Sequence, residues 1–342
     1  MPYKSSEEFA KMADEDGVVV SVNNTTLKVR YKSGEEKVYS IADHFSLVEG
    51  VDYKHVLTSN VKEGQRFKKG DALYYHKDFY EKDYLDPTKL VFKSNKVITV
   101  AMTVNAETYE DSSAISSRMM DGITTTIAYA ERFIIPFDTD ITNLVKVGDE
   151  VEPNTPLFVN LGDVGNTGNL SDASIALLEA QTQNSPRAQH KGVIERIEVK
   201  YNGDKADMSE SLGKLVSKLD RETYERTKGT EYETKNNRVT GEYSSKGVKL
   251  DIDTLELKIY IGVNLGLGIG DKLVVGNQAK TVIGEIFDYS ITGKDSGDTV
   301  DMMFGYLGFL YRIIDSPVRM GTTNRVVRLR MRQLAREYLS EK

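Results

Sequence analysis

The run LELKIYIGVNLGLGIGDKLVVGNQAKTVIGEI, residues Leu255 to Ile286, sets the expectation for the fold. Leu255, Leu257, Ile259 and Ile261 alternate with other residues, the period of a half-buried strand. The glycines that follow permit sharp reversals and close backbone approach. Inside this run, Gly270-Asp271-Lys272 and Lys280 place two lysines eight residues apart on either side of a glycine turn. Such an arrangement can aim two ammonium groups at phosphate oxygens, although lysines beside glycines also occur on ordinary solvated turns.

Upstream, the pattern stays β-rich. Gly17-Val18-Val19-Val20 and Leu27 to Tyr31 read as strands joined at Asn23-Asn24, with Ser33-Gly34 closing the next turn of a small antiparallel meander. Val61-x-x-Gly64-x-x-Phe67-x-x-Gly70-Asp71-x-Leu73 shares its layout with Val147-Gly148-x-x-Val151-x-x-x-x-Pro156-Leu157. Apolar residues bracket tight turns in both, which predicts short strands in a barrel-like or sandwich-hybrid body. A short helix is expected over Asp172–Gln183, a strand over Gly192–Val199 and a longer helix over Ser209–Lys228, with Leu212, Leu215, Val216 and Leu219 on one face. The polar stretch from Gly229 to Gly247 reads as an exposed loop or hairpin. The chain closes in an amphipathic helix whose buried side is expected to be Val326, Val327, Leu329, Met331, Leu334 and Leu339.

Composition narrows the function classes. The 342 residues, 39% hydrophobic and 28% charged, can bury a sizeable core. No apolar run approaches the roughly 20 residues of a membrane-spanning helix. There is no cysteine, which excludes disulfides and thiolate metal sites and suits a reducing, cytoplasmic setting. A net charge of −7 argues against a lone protein that coats nucleic acid, so any such contact must be local. Basic charge gathers at the end, in Arg325, Arg328, Arg330, Arg332 and Arg336. His44, His55, His76 and His190 are scattered without metal-ligand spacing. Asn160 to Gly168 is glycine-rich but lacks the strand–loop–helix context of a dinucleotide site, and reads as a loop.

Three ordered segments resemble the central part of the β subunit of multisubunit DNA-directed RNA polymerase. The run from Lys258 to Lys280 is similar to the family signature in which a strand leads to Gly-Asp-Lys and, eight residues on, a second lysine; Lys272 and Lys280 fall in register. Val275 to Thr281 departs from the family's usual Arg-His-Gly-Asn-Lys-Gly ending. Met102 to Ser112 resembles Met-Pro-Trp-x-Gly-Tyr-Asn-Phe-Glu-Asp-Ser, keeping the carboxylate pair at Glu110 and Asp111, and Ile115-Ser116-Ser117-Arg118 stands where the family has Ile-Ser-Glu-Arg. Thr299 to Arg312 resembles Pro-Val-Asp … Asn-Pro-Leu-Gly-Val-Pro-Ser-Arg, with Arg312 at the place of a nucleotide-contacting arginine; Arg319, in Ser316-Pro317-Val318-Arg319-Met320-Gly321, is the competing placement.

The resemblance implies an α+β, mainly β chain built on a double-psi β-barrel. The expected segments are a meander over 1–60, a first barrel part over 61–160, an inserted strand–helix module over 161–250, a second barrel part over 251–324 and a basic helix over 325–342. It implies that Lys272, Lys280 and Arg312 contact RNA or nucleotide phosphates, and that Glu110 and Asp111 face the same place. Mg²⁺ would be held mainly by a β′-like partner and the nucleotide, because the family's catalytic aspartates belong to that partner. DNA template, RNA and the other polymerase subunits are the implied partners, as in the split or reduced β-like subunits of large bacteriophages. The competing expectation is a non-catalytic virion or polymerase-interaction protein that retains the barrel.

Overall fold

The computed structural model describes residues 7, 9–48, 50–93, 96–104, 106–160, 185–245, 247–312 and 315–340. The chain is mainly β with added helices, an α+β architecture of several largely antiparallel sheets. The helix expected over Asp172–Gln183 and most of the loop expected from Asn160 to Gly168 lie outside the described residues. Contacts group the chain into two compact units: Met1–Ser94 with Thr126–Asn264, and Asn95–Thr125 with Leu265–Lys342.

In the first unit, Gly17–Val22 pairs antiparallel with Thr26–Tyr31, which pairs with Glu36–Ser40. Asn23 makes the first turn, because its side-chain oxygen accepts the backbone N–H groups of Thr25 (2.8 Å) and Thr26 (2.7 Å). Behind this meander lies a core of Val19, Leu27, Val29, Phe67 and Leu73. The larger core sits on a six-stranded sheet in which Gly192–Asn202 and Thr254–Gly266 are neighbours. Against it packs the helix Glu210–Thr227, capped by Ser209, whose hydroxyl accepts the N–H of Leu212. Leu212, Val216 and Leu219 are buried there with Leu255, Leu257, Ile259 and Ile261. Each such leucine contributes on the order of 1.5–3 kcal/mol.

Two expectations change here. The strand Leu255–Ile261 is covered on both faces, since Glu256 is 1% and Tyr260 5% exposed. Tyr260 stacks on Phe45 with ring centroids 4.3 Å apart, and Glu256 accepts the Tyr243 hydroxyl at 2.7 Å. Alternation predicts one buried face only; these partners come from remote sequence. The polar stretch 229–247 is also not all exposed. Asn237 is buried and donates from its backbone N (2.7 Å) and Nδ2 (2.9 Å) to Asp220 of the helix. Gly192–Asn202 pairs with Thr254–Gly266 at nine positions.

One turn recurs four times, and it explains the shared glycine layout. At Gly64, Gly70, Gly148 and Gly270 φ is +75°, +82°, +97° and +94°, the left-handed region that suits glycine. The glycine N–H donates to the carbonyl of Val19, Ala13, Ile194 or Ile283, and that same residue's N–H returns a bond to the residue after the glycine. The following side chain, Gln65, Asp71, Asp149 or Asp271, accepts a backbone N–H three residues back.

The second unit holds a five-stranded sheet. Its strands in chain order are β1 Val100–Thr103, β2 Ser112–Ser116, β3 Lys272–Val275, β4 Ala279–Phe287 and β5 Met302–Gly305. In the sheet the order is β1-β5-β2-β4-β3. β1 runs parallel to β5 and β2 parallel to β4, whereas β2 and β5 are antiparallel. Thus β5 lies between the sequence neighbours β1 and β2, and β2 lies between β4 and β5. No closed barrel is found among the described residues. Ile115, Ile283, Met302 and Phe304 form the centre of this unit's core. Three helices flank the strands: α1 Ser117–Gly122, α2 Tyr306–Arg312 and α3 Ser316–Ser340.

Helix α3 begins nine residues before the expected start at 325. Its apolar residues are not its buried side: Val326, Val327, Leu329, Met331 and Leu334 are 61%, 51%, 47%, 66% and 49% exposed. Three of its arginines, themselves partly exposed, reach back to the unit instead. Asp298, between β4 and β5, lies 3.9 Å from Arg325, 3.9 Å from Arg328 and 2.8 Å from Arg332, and ion pairing outcompetes apolar contact on that face.

Candidate functional site

The lysine signature is a β-hairpin. β3 and β4 pair with Lys272 opposite Val282 and Lys280 opposite Val274. Gly276, at φ +66°, turns the chain between them. Directly opposed residues project to the same side of an antiparallel ladder, so the two lysines share a face with Val274 and Val282. All four are exposed, while Ala279 and Ile283 are buried and Leu273 and Val275 pack against the same core. Lys272 and Lys280 are diagonal neighbours, a relation that separates backbones by about 7–8 Å. Among the described residues neither lysine side chain has an ion-pair or hydrogen-bond partner. Asp271, between Gly270 and Lys272, is structural, because its carboxylate accepts the Gly268 N–H at 2.8 Å and holds the turn that delivers Lys272.

Glu110 and Asp111 lead into β2 beside this hairpin. The Asp111 carbonyl accepts the Val282 N–H at 2.9 Å and the Thr281 hydroxyl at 2.8 Å, which fixes it level with Thr281, next to Lys280. Both carboxylates are exposed. Glu110 has φ +55°, a left-handed conformation uncommon outside glycine, in a turn closed by the Ser112 N–H donating to Tyr109. That turn packs against β5 only because residue 305 is glycine, where a Cβ would stand 2.3 Å from the Thr108 carbonyl oxygen. Glu110 and Asp111 lie in the turn before β2, whose first residue Ser112 pairs with Val282 of the hairpin that carries Lys272 and Lys280.

Arg312 is the last residue of α2, and its side chain lies outside the described residues. Arg319 lies in the first turns of α3, exposed, with Nε donating to Asp315 at 2.7 Å. The remaining likeness converges in one place: Arg118 pairs with Asp301, and Asp301 also accepts the Thr99 N–H at 2.8 Å. For Mg²⁺ the fit is incomplete, since among the described residues no group of three or more His, Asp or Glu is arranged to hold a metal ion.

The first unit holds features that linear spacing missed. Three of the four histidines meet: His44 stacks on His55, and His55 Nδ1 lies 3.1 Å from His76 Nε2. They are scattered in sequence but opposed by strand register, His44 facing His55 across a hairpin. A cavity of about 380 Å³ is lined by Glu131, buried, and by His190, which stacks on Tyr129 at 3.7 Å. No helix among the described residues is long and apolar enough to cross a membrane. No family model matches the chain, and no curated protein matches its sequence.

Proposed function

We propose that this chain is a β-like subunit of a multisubunit DNA-directed RNA polymerase that supplies phosphate contacts to an active site completed by a β′-like partner. The observation that carries this reading is the pair Lys272 and Lys280, exposed on one face of a hairpin with no ion-pair or hydrogen-bond partner among the described residues, beside a strand that Glu110 and Asp111 precede. Two exposed lysines on one face of a hairpin can serve a ligand without being needed by the fold. A phosphate is such a ligand, because long lysine stems can converge on its oxygens as point charges. Further support comes from the three family-like segments, which are joined in one sheet with Arg118 bound to Asp301. The interleaved order β1-β5-β2-β4 supports the double-psi β-barrel as the finer reading of this unit.

In this role the chain binds and orients. Lys272 and Lys280 neutralise RNA or nucleotide phosphates. Glu110 and Asp111 hold water or donor groups at the edge of that site, and Arg312 reaches a triphosphate. Mg²⁺, held by the β′-like partner and the nucleotide, would supply the charge stabilisation of phosphoryl transfer. The chain alone makes no RNA, and it works on DNA and RNA within the assembly, in the cytoplasm of a bacterial or phage-infected cell.

The test is purification of the tagged chain from its source with its co-purifying subunits, followed by transcript elongation with Lys272→Ala and Lys280→Ala. Exposed lysines replaced by alanine change stability by no more than about 0.5 kcal/mol, so both variants should assemble and melt like the parent. Losing a charge-assisted contact of about 1.5–3 kcal/mol should slow elongation by roughly 10- to 150-fold. Normal elongation by both variants would favour the competing reading, a non-catalytic virion or polymerase-interaction protein.

A further inference from the structure

Helix α3 is 25 residues long, and a regular apolar stripe on it faces solvent. Met320, Val327, Met331, Leu334 and Tyr338 are 39%, 51%, 66%, 49% and 60% exposed. With Asn324 added, their spacing is four, three, four, three, four, the alternation of the d and a positions of a heptad. At about 100° per residue these six side chains fall on one narrow stripe. Arg325, Arg328 and Arg332 emerge about a third of a turn away, on the side held by Asp298. From Val318 to Tyr338 only Arg332 is half-buried, so the stripe is open to solvent along its length, as are Val326 and Leu329 beside it. It runs for almost three heptads, and exposed apolar stripes of this regularity mark interaction surfaces.

We propose that this stripe is a coiled-coil seam that docks an amphipathic helix of a partner protein, one whose flanking positions are acidic. The charge of α3 selects the occupant. The helix carries Arg319, Arg325, Arg328, Arg330, Arg332 and Arg336 against the single acid Glu337. Flanking the seam are Arg328 and Arg330, with Gly321, Thr323, Ala335 and Glu337 at the other edge positions. A parallel second copy would set Thr323 against Arg328 and Arg330 against Ala335, gaining no ion pair while bringing two basic helices together. Glutamates on a different helix would meet Arg330 and would share Arg328 with Asp298, which lies 3.9 Å from it. Asn324 at a seam position favours a two-stranded pairing in one register. The inference does not rest on the polymerase reading, since the seam would dock a helix whether or not Lys272 and Lys280 bind phosphate.

The test uses the full chain and two labelled synthetic helical peptides of roughly four heptads with the same Ile/Asn/Leu seam, one carrying Glu and the other Lys at the flanking positions. Fluorescence anisotropy should show the acidic peptide binding at least about tenfold more tightly than the basic one. Val327→Glu and Leu334→Glu, both at exposed positions, should abolish that binding while leaving the circular dichroism spectrum unchanged. Arg330→Glu should narrow or reverse the preference. Equal binding of both peptides, or binding of neither, overturns the proposal. So does self-association of the chain in sedimentation equilibrium that Leu334→Glu abolishes, because a second copy would then be the occupant.

Discussion

Acidification should weaken the first unit through His76, in a window set by its burial. His76 is 1% exposed, and removal from water pushes its pKa down from 6.5 to about 4, with Asp78 opposing the shift only in part. The hydrogen bonds identify the neutral form. Asp78 N–H donates to His76 Nδ1 at 3.2 Å, so the ring proton sits on Nε2 and points at His55 Nδ1, 3.1 Å away. His55 Nε2 in turn donates to the Ser46 hydroxyl at 2.5 Å. A proton on His76 Nδ1 would displace the Asp78 bond and leave a charge in the core. Between pH 6.5 and about 4 the unfolded chain therefore binds a proton that the folded chain refuses, and stability falls as pH falls through that window. The full shift is worth up to about 3 kcal/mol, with a slope approaching 1.4 kcal/mol per pH unit. Urea titrations of the parent and of His76→Phe at pH 7, 5.5 and 4 read this directly. The variant, less stable at pH 7 for want of a donor to His55, should lose this part of the slope. Histidine ring signals followed by NMR should show one imidazole titrating near pH 4. If every histidine titrates near 6.5, or His76→Phe keeps the parent slope, the reasoning fails.

Gly305→Ala should disturb the candidate site without touching its charged groups. The new methyl group meets the Thr108 carbonyl, so a loss of about 1–3 kcal/mol is expected, with faster hydrogen exchange at Ser112 and Val282; unchanged exchange would refute the close approach. Asp298→Asn should loosen α3, because the Arg332 hydrogen bond, aided by Arg328 and Arg325, holds the Asp298 carboxyl below its usual range. This tether is complete above the ordinary carboxylate pKa and is lost as pH falls through the lower folded value. Amide exchange in residues 325–332 should therefore rise with acid in the parent and be high at neutral pH in the variant. Acid-insensitive exchange in the parent would dismiss it.

Much of the local structure was legible because it depends on near neighbours. Asn23 closes its turn with its own side chain, and Ser209 caps the helix beginning at Glu210. The apolar spacing of Leu212, Val216 and Leu219 finds the helix's inner face. The glycine turn between the lysines was legible as well, whereas the strand register that puts Lys272 and Lys280 on one side came from the structure. The Gly-Asp element, by contrast, is a turn used at three other places with aspartate or glutamine, so its presence alone does not mark a phosphate site.

What the sequence determined by itself was the opening meander, the strands at Gly192 and Leu255, the Asn23 turn and the Ser209 helix cap, together with which residues are charged. Only the tertiary structure decided which faces are covered. Tyr260 and Glu256 are buried because Phe45 and Tyr243 arrive from other elements, and Val327 and Leu334 stay exposed because no element of the unit covers their side of α3, which is tied to it by ion pairs to Asp298. His44, His55 and His76 become one cluster, and Asp111 meets Thr281, through strand pairing between distant segments. Periodicity reports how a segment could sort its side chains between two environments. Which environment lies on each side depends on contacts whose partners are remote in the chain, and local spacing carries no information about them.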